Sequence, residues 1–361
     1  MSITLVTDDT AITRLAEQLD GAPCIGLDTE FMRERTYRPQ LCLLQLSTPT
    51  QIACVDPLAG ASLDALNGVL TSDAVVKVIH AARQDLEALW PLFGRIGNVF
   101  DTQVAAALAG MSAQIGYSEL VRRLLNIELA KSQTRTDWSR RPLSDAQLDY
   151  AADDVRHLGT LRERLMQMLA DLGRLGWLDE ELRDLCTPEQ LFVDPDRAHE
   201  RLRWAGELDA DRARLAQHLA TWRERRAIDK NRPRTWILDD AALRALTLSA
   251  PRHRAALAAL PELTPGFIER SGAAILEVIA AADLPAQLPP PPARSRPDPQ
   301  HTAQVKRLSA IVQDTARELS LSAEILATRR DLEALAHGRR DIDALRGWRR
   351  QVVGEKLLAG C

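Results

Sequence analysis

Four acids and a tyrosine carry the chemistry this chain offers. Asp28 and Glu30 close the apolar run of Cys24, Ile25, Gly26 and Leu27. At i, i+2 on a strand, both carboxylates point to one face. Hard divalent cations such as Mg²⁺ take carboxylate oxygens and keep waters and phosphates as their other ligands. The pair is therefore a candidate cation site, although taken alone a strand end meeting water, with two solvated carboxylates, explains it better. Asp85 follows the β-branched run at 74–82 and opens a helical stretch, where an acid also suits the helix macrodipole. Tyr150 and Asp154 stand at i, i+4 in "DYAADDV". That spacing stacks them on one helix face, beside an apolar stripe through Ala151, Val155 and Leu158.

These residues need elements to hold them. "LCLLQLST" (41–48) and "QIACVDP" (51–57) read as strands separated by a Thr-Pro-Thr break, and 74–82 as another strand. Helical spacing marks 62–70, 85–93, 104–110 and 117–129, the last with Ser118 as its N-cap. Residues 142–169 read as one long helix whose leucines recur at three and four. Ser144 opens it, with Gln147 completing a capping box. Sheet first and helix afterwards argues for an α/β domain whose strands precede about residue 105. Beyond about 195 the strand signals stop. Residues 207–284 are helical, 284–300 are rich in proline and read as an extended linker, and 301–361 are helical again.

The chain has 361 residues, 45% hydrophobic and 27% charged, a soluble globular composition with room for two or three domains. No stretch approaches the roughly 20 apolar residues that span a bilayer, and the first residues lack the pattern of a signal peptide. The five cysteines are scattered without a CxxC pair, which suits free thiols in a reducing compartment and argues against a zinc site. A cytoplasmic location is expected, with no membrane partner. The formal net charge of −4 means that any nucleic-acid binding must come from a local basic surface.

In combination the motifs are more specific than any one of them. DxE at a strand end, an Asp opening a helix and YxxxD on a long helix together resemble the DEDD 3′→5′ exonucleases of the tyrosine subclass. "DTEF" (28–31) resembles the first motif of the ribonuclease D family, and "RPQLCLLQLST" (38–48) its second strand, with Gln45 inside. "LAKSQTRTDWSRRPLSDAQLDYAADDV" (129–155) is similar to that family's approach to the last motif. "RERRAIDKNRPRTWILDDAALRAL" (223–246) resembles the HRDC module, and 301–361 a more divergent copy.

The resemblance implies an α/β ribonuclease-H-like exonuclease domain, a mixed sheet with flanking helices, at 1–195. Two small all-α HRDC-like domains would follow at 207–284 and 301–361, joined by a linker at 285–300. It implies that Asp28, Glu30, Asp85 and Asp154 hold two divalent cations, Mg²⁺ or Mn²⁺. Asp28 would bridge both ions, Glu30 and Asp154 complete the site carrying the nucleophilic water, Asp85 support the second ion, and Tyr150 position the water. Phe31, Gln45, Lys131, Trp138 and Arg141 become candidates for substrate contact. The implied activity is 3′→5′ exoribonucleolysis by a monomer acting on tRNA precursors and other structured small RNAs with free 3′ ends, releasing 5′-mononucleotides. A single-strand DNA exonuclease of the same superfamily, or a nuclease-dead RNA-binding scaffold, would share much of the pattern.

Overall fold

The computed structural model describes residues 2–129, 136–183, 185–282 and 299–361. They form two compact units, one of residues 2–32, 40–191 and 299–361, the other of 33–39 and 192–282.

The first unit begins with β1 (Ser2–Val6), α1 (Asp9–Leu19), β2 (Cys24–Met32), β3 (Gln40–Ser47) and β4 (Gln51–Val55). It continues through α2 (Asn67–Thr71), β5 (Val76–Ile79), α3 (Arg83–Phe93), β6 (Val99–Asp101), α4 (Thr102–Leu108) and α5 (Tyr117–Leu125). Next come α6 (Asp145–Arg156), α7 (Leu158–Asp171), α8 (Leu175–Arg183) and α9 (Pro188–Leu191). Among the described residues the strands make a six-stranded sheet in the order β1-β4-β3-β2-β5-β6. The β2–β3 and β3–β4 pairs are antiparallel; β1–β4, β2–β5 and β5–β6 are parallel. The sheet is therefore mixed, and β2, which carries the DxE pair, lies inside it. Strands buried on both faces read as continuous apolar runs, as β3 does: seven of its eight residues are buried.

Gly26 explains how α6 meets this sheet. A Cβ there would fall 2.3 Å from Ser47 Oγ and 3.0 Å from the Val155 carbonyl oxygen. Ser47, opposite Gly26 in the register, donates to that carbonyl at 2.8 Å. The missing side chain lets the end of α6 sit directly on β2 and β3.

The expected helix over 142–169 is two helices. The capping box forms as read, Ser144 and Gln147 bonding reciprocally. The backbone then turns at His157 (φ −108°, ψ 0°), between α6 and α7. Tyr117 occupies the break, its hydroxyl donating to the Asp153 carbonyl at 2.9 Å and accepting from the His157 N–H at 3.3 Å. A side chain thus meets the backbone groups that an uninterrupted helix would pair internally. α5 starts at Tyr117, with Gly116 rather than Ser118 as N-cap.

The last segment, which follows the five helices of the second unit in the chain, contains α15 (Pro299–Leu319), α16 (Ala323–Leu326), α17 (Arg329–Ala336), α18 (Gly347–Arg349) and α19 (Glu355–Ala359). The sequence suggests a domain of its own here. Instead Leu308, Val312, Leu326, Leu332, Trp348 and Leu357 share one core with Leu161, Leu165, Leu169 and Leu178 of α7 and α8. The Trp348 indole stacks on Trp177 (4.4 Å between centroids, 11° between planes) and donates to Glu181 at 2.8 Å. Arg174 donates to the Leu319 carbonyl at 2.6 Å. The leucines of α7 form one stripe, and the last segment joins α8 in the core that this stripe belongs to.

The second unit is helical: α10 (Ala210–Lys230), α11 (Arg234–Ile237), α12 (Asp240–Ser249), α13 (Arg254–Ala258) and α14 (Pro265–Ala281). Asp209, Asp239 and Thr264 cap α10, α12 and α14 through their side chains. Leu215, Leu219, Leu243, Leu246, Leu257, Ile275 and Ile279 form its core. The connection between β2 and β3 belongs here too. Tyr37 donates to the buried Glu224 at 2.6 Å, and the Arg38 N–H donates to Asn231 Oδ1 at 3.0 Å. No helix among the described residues is long and apolar enough to cross a membrane.

Candidate active site

Two elements bring three acids together. β2 presents Asp28 and Glu30 on the face that α6 covers, and α6 lowers Asp154 onto it. Ligand oxygens of Asp28, Glu30 and Asp154 all lie within 4.8 Å of one another. Burial raises the Asp28 carboxyl well above the carboxylate range, and Asp85, Asp154 and Glu30 push it the same way. Glu30 rises to about 8 through burial and the charges of Asp154 and Asp85. Asp154 rises to about 7 through burial and neighbouring Asp153, against a hydroxyl interaction from Tyr150 one turn back. Like charges gathered out of water are a standing cost that a cation would relieve. All-oxygen donors suit Mg²⁺ or Mn²⁺, so the residues fit divalent ions.

Asp85 stands outside this tight group. It lies in the first turn of α3, 6% exposed, and accepts a 2.6 Å hydrogen bond from Thr29 Oγ1. Burial raises it to about 7, with the Thr29 bond opposing. Its charge nevertheless acts on Asp28 more strongly than that of Asp154 or Glu30. The turn into α3 is set by Ala81, whose φ is +58°. The N–H groups of Ala81 and Ala82 donate to Asp101, which also accepts from Gln103 N–H in α4. His80 is occupied on both ring nitrogens, by Thr102 Oγ1 at 2.8 Å and the Ile115 carbonyl at 3.0 Å.

Tyr150 lies one turn before Asp154 on the same face of α6, its hydroxyl beside the Asp154 carboxylate. Burial, then Asp154, Glu30 and Asp28, raise its hydroxyl above the ordinary tyrosine range, so it stays protonated. Its ring lies 6.2 Å from that of Trp138.

The residues expected at the substrate separate. Phe31 is half-buried beside the β2 irregularity that follows Glu30. Three others are corrected. Gln45 is 0% exposed and cannot meet a nucleotide. Trp138 is 5% exposed and packs with Cys42, Leu43, Cys54 and Ala151, backing Tyr150 from below. The Arg141 guanidinium makes two 2.6 Å bonds to Asp56 and others to the carbonyls of Cys42 and Trp138. That fork anchors the approach to α6 on β3 and the end of β4. Lys131 lies outside the described residues. Thr29, Ala81, Asp101 and Tyr117 position the site without any motif signal; the one hint is that Tyr117 is among only three tyrosines in the chain.

Fold and acids together define a nuclease of the ribonuclease-H-like kind. The profile of the 3'-5' exonuclease family matches residues 3–170, and that of the HRDC domain matches residues 212–279. Ribonuclease D of Gluconacetobacter diazotrophicus is 39% identical over 98% of this chain and 92% of its own length. That of Pseudomonas paraeruginosa is 35% identical over 98% and 96%. The crystal structure of Escherichia coli RNase D, described as an exoribonuclease involved in structured RNA processing, superposes with a TM-score of 0.87. It is 30% identical, with 100% of this chain and 98% of that one covered. The chain belongs to the ribonuclease D family. It is a hydrolase, a 3′→5′ exoribonuclease. The exonuclease family uses divalent metals, and an acidic cluster with suitable donors is present.

Proposed function

We propose that this protein trims the 3′ ends of tRNA precursors and other structured small RNAs, releasing 5′-mononucleotides, with Asp28, Glu30, Asp85 and Asp154 holding two divalent cations. The convergence of Asp28, Glu30 and Asp154 within 4.8 Å carries the reading. When bound, such ions supply Lewis acidity and a nucleophilic water at neutral pH, and together clamp the attacking and leaving oxygens. Glu30 and Asp154 would serve the ion nearer the attacking water; Asp28 would serve both, and Asp85 the second. Tyr150 belongs to the tyrosine subclass of this chemistry. Its protonated hydroxyl, held beside Asp154, orients the water and is no base. Attack puts the water oxygen on the terminal phosphorus and breaks that phosphorus's bond to the 3′ oxygen of the preceding nucleotide. The released nucleotide therefore keeps its phosphate at the 5′ position. Phe31, half-buried after the β2 irregularity, would stack on the departing base, a contact worth about 1–3 kcal/mol.

The same reading takes the protein as a cytoplasmic monomer using Mg²⁺ or Mn²⁺, with 207–284 as an HRDC-like module and 301–361, whose helices share the core of α7 and α8, as a more divergent copy, both helping to select RNA. Release of 5′-mononucleotides from labelled RNA, stopped by chelator and restored by Mg²⁺ or Mn²⁺, tests the core of it. Asp154→Asn is expected to lower turnover by more than about 100-fold while the metal-free protein melts at or above the parent temperature, because one of the crowded charges is gone. Turnover near the parent value would sink the assignment. DNA cut as fast as RNA would overturn the choice of substrate.

A further inference from the structure

Gln45 is a buried polar side chain, in the sheet next to the acids, that the mechanism above leaves without work. It is 0% exposed, and among the described residues neither its Oε1 nor its Nε2 has a hydrogen-bond partner. A buried amide left unpaired is destabilising, and natural cores contain few. An ordinary core position would hold an apolar residue, as neighbouring Leu43, Leu44 and Leu46 do.

Register fixes what lies around it. In the antiparallel β2–β3 pair Gln45 stands opposite Asp28, and in the β3–β4 pair it stands opposite Cys54. Opposed residues share a face, with Cβ atoms about 4.5–5.5 Å apart. Leu43 and Ser47, two residues either way, share that face as well. Ser47 already donates to Val155, and Cys54 packs with Ala151 of α6. The carboxamide therefore lies under α6, and Asp28 is the carboxylate that register sets beside it.

We infer that Gln45 is a positioning residue for Asp28: when Asp28 serves as a metal ligand, the Gln45 carboxamide donates to its carboxylate and fixes its orientation. This rests on the cation-site reading above. A carboxamide suits the task chemically. It offers two N–H donors with no charge. Lys would compete with the cation, Glu would add another negative charge to the cluster, and Leu would leave the ligand unsupported. Groups that hold a metal ligand from behind change metal affinity or activity by about 10–100-fold when removed.

The experiment is a Mn²⁺ titration of the RNA-free full-length protein by calorimetry, for the parent, Gln45→Leu and Gln45→Met. Both variants are expected to bind Mn²⁺ about 10–100-fold more weakly. In chelator they should melt at or above the parent temperature, since replacing an unpaired amide by an apolar group of similar size is neutral or stabilising. A residue that only fills space would give the reverse: altered melting with parent affinity. Affinities within about two-fold of the parent in the folded variants overturn the inference. If Gln45→Leu does not fold, Gln45→Met decides. A parent that binds no Mn²⁺ would instead sink the cation-site reading, and this inference with it.

Discussion

Tyr150 reaches the acids on a ring held from behind by buried Trp138, so its hydroxyl is placed by packing and does not depend on substrate. Removing that hydroxyl should leave the scaffold intact. Tyr150→Phe keeps the ring and its contact with Trp138, and the charges around it no longer act on a phenol. Misplacing a reacting group by about 1 Å costs about 10²-fold in rate. The variant is therefore expected to lose that much in kcat, with KM and Mn²⁺ affinity close to the parent. Steady-state hydrolysis of 3′-labelled RNA, alongside a metal titration, checks it. A kcat near the parent value removes Tyr150 from the chemistry. The same logic separates the residues that were legible in the sequence from those that were not. Asp28, Glu30, Asp85, Tyr150 and Asp154 announce themselves because spacing alone puts acids on a shared face or at a helix start. Trp138 and Arg141 look like substrate contacts in the sequence because stacking and phosphate binding use the same residue types as packing and ion pairing. Only three dimensions show Trp138 under Tyr150 and Arg141 on Asp56.

At the scale of the elements, the site exists because α6 lies flat on β2 and β3, and Gly26 is what permits it. Alanine at 26 would put a Cβ 2.3 Å from Ser47 Oγ and 3.0 Å from the Val155 carbonyl. Overpacking of this kind costs about 1–3 kcal/mol. Because the contact lies one residue from Asp154, activity should suffer more than stability. Gly26→Ala is expected to melt several degrees below the parent, as such a cost implies, and to lose most of its turnover. Adding Ser47→Ala removes the nearer clash but leaves the carbonyl, so the double variant should recover part of both losses. Thermal unfolding and turnover of the two variants test this; a fully active Gly26→Ala would show that α6 tolerates a shift. The sequence made the strands around Asp28 and the start of α6 readable, through apolar runs and a capping box. It did not reveal β1 or β6. β1, "SITLV", shows no buried alternation, and β6, "VFD", is too short for a periodic signal. Nor did it reveal the break at His157, because the leucine stripe continues through it and the cause, Tyr117, lies 40 residues away.

At the scale of the whole molecule, the first compact unit is assembled from chain on both sides of the second, since residues 299–361 return to close the core of residues 2–32 and 40–191. Their helical pattern and the proline-rich stretch before them suggest an independent module, because a sequence shows that a face is apolar without saying what covers it. The cover is specific. Trp348 stacks on Trp177, its backbone N–H donates to Glu180 at 2.8 Å, and its indole donates to Glu181. Arg349 stands over the Trp348 ring and pairs with Glu181. Truncating a buried Trp costs about 3–5 kcal/mol, and here the loss falls on both sides of one core. In Trp348→Ala, hydrogen exchange is expected to lose protection in α8 and in α15 to α17 together, while α10, α12 and α14 keep theirs. Cooperative units open as wholes, so shared loss is the signature of a shared unit. Loss confined to residues 299–361 would mean that these helices fold as a separate module resting on the sheet domain.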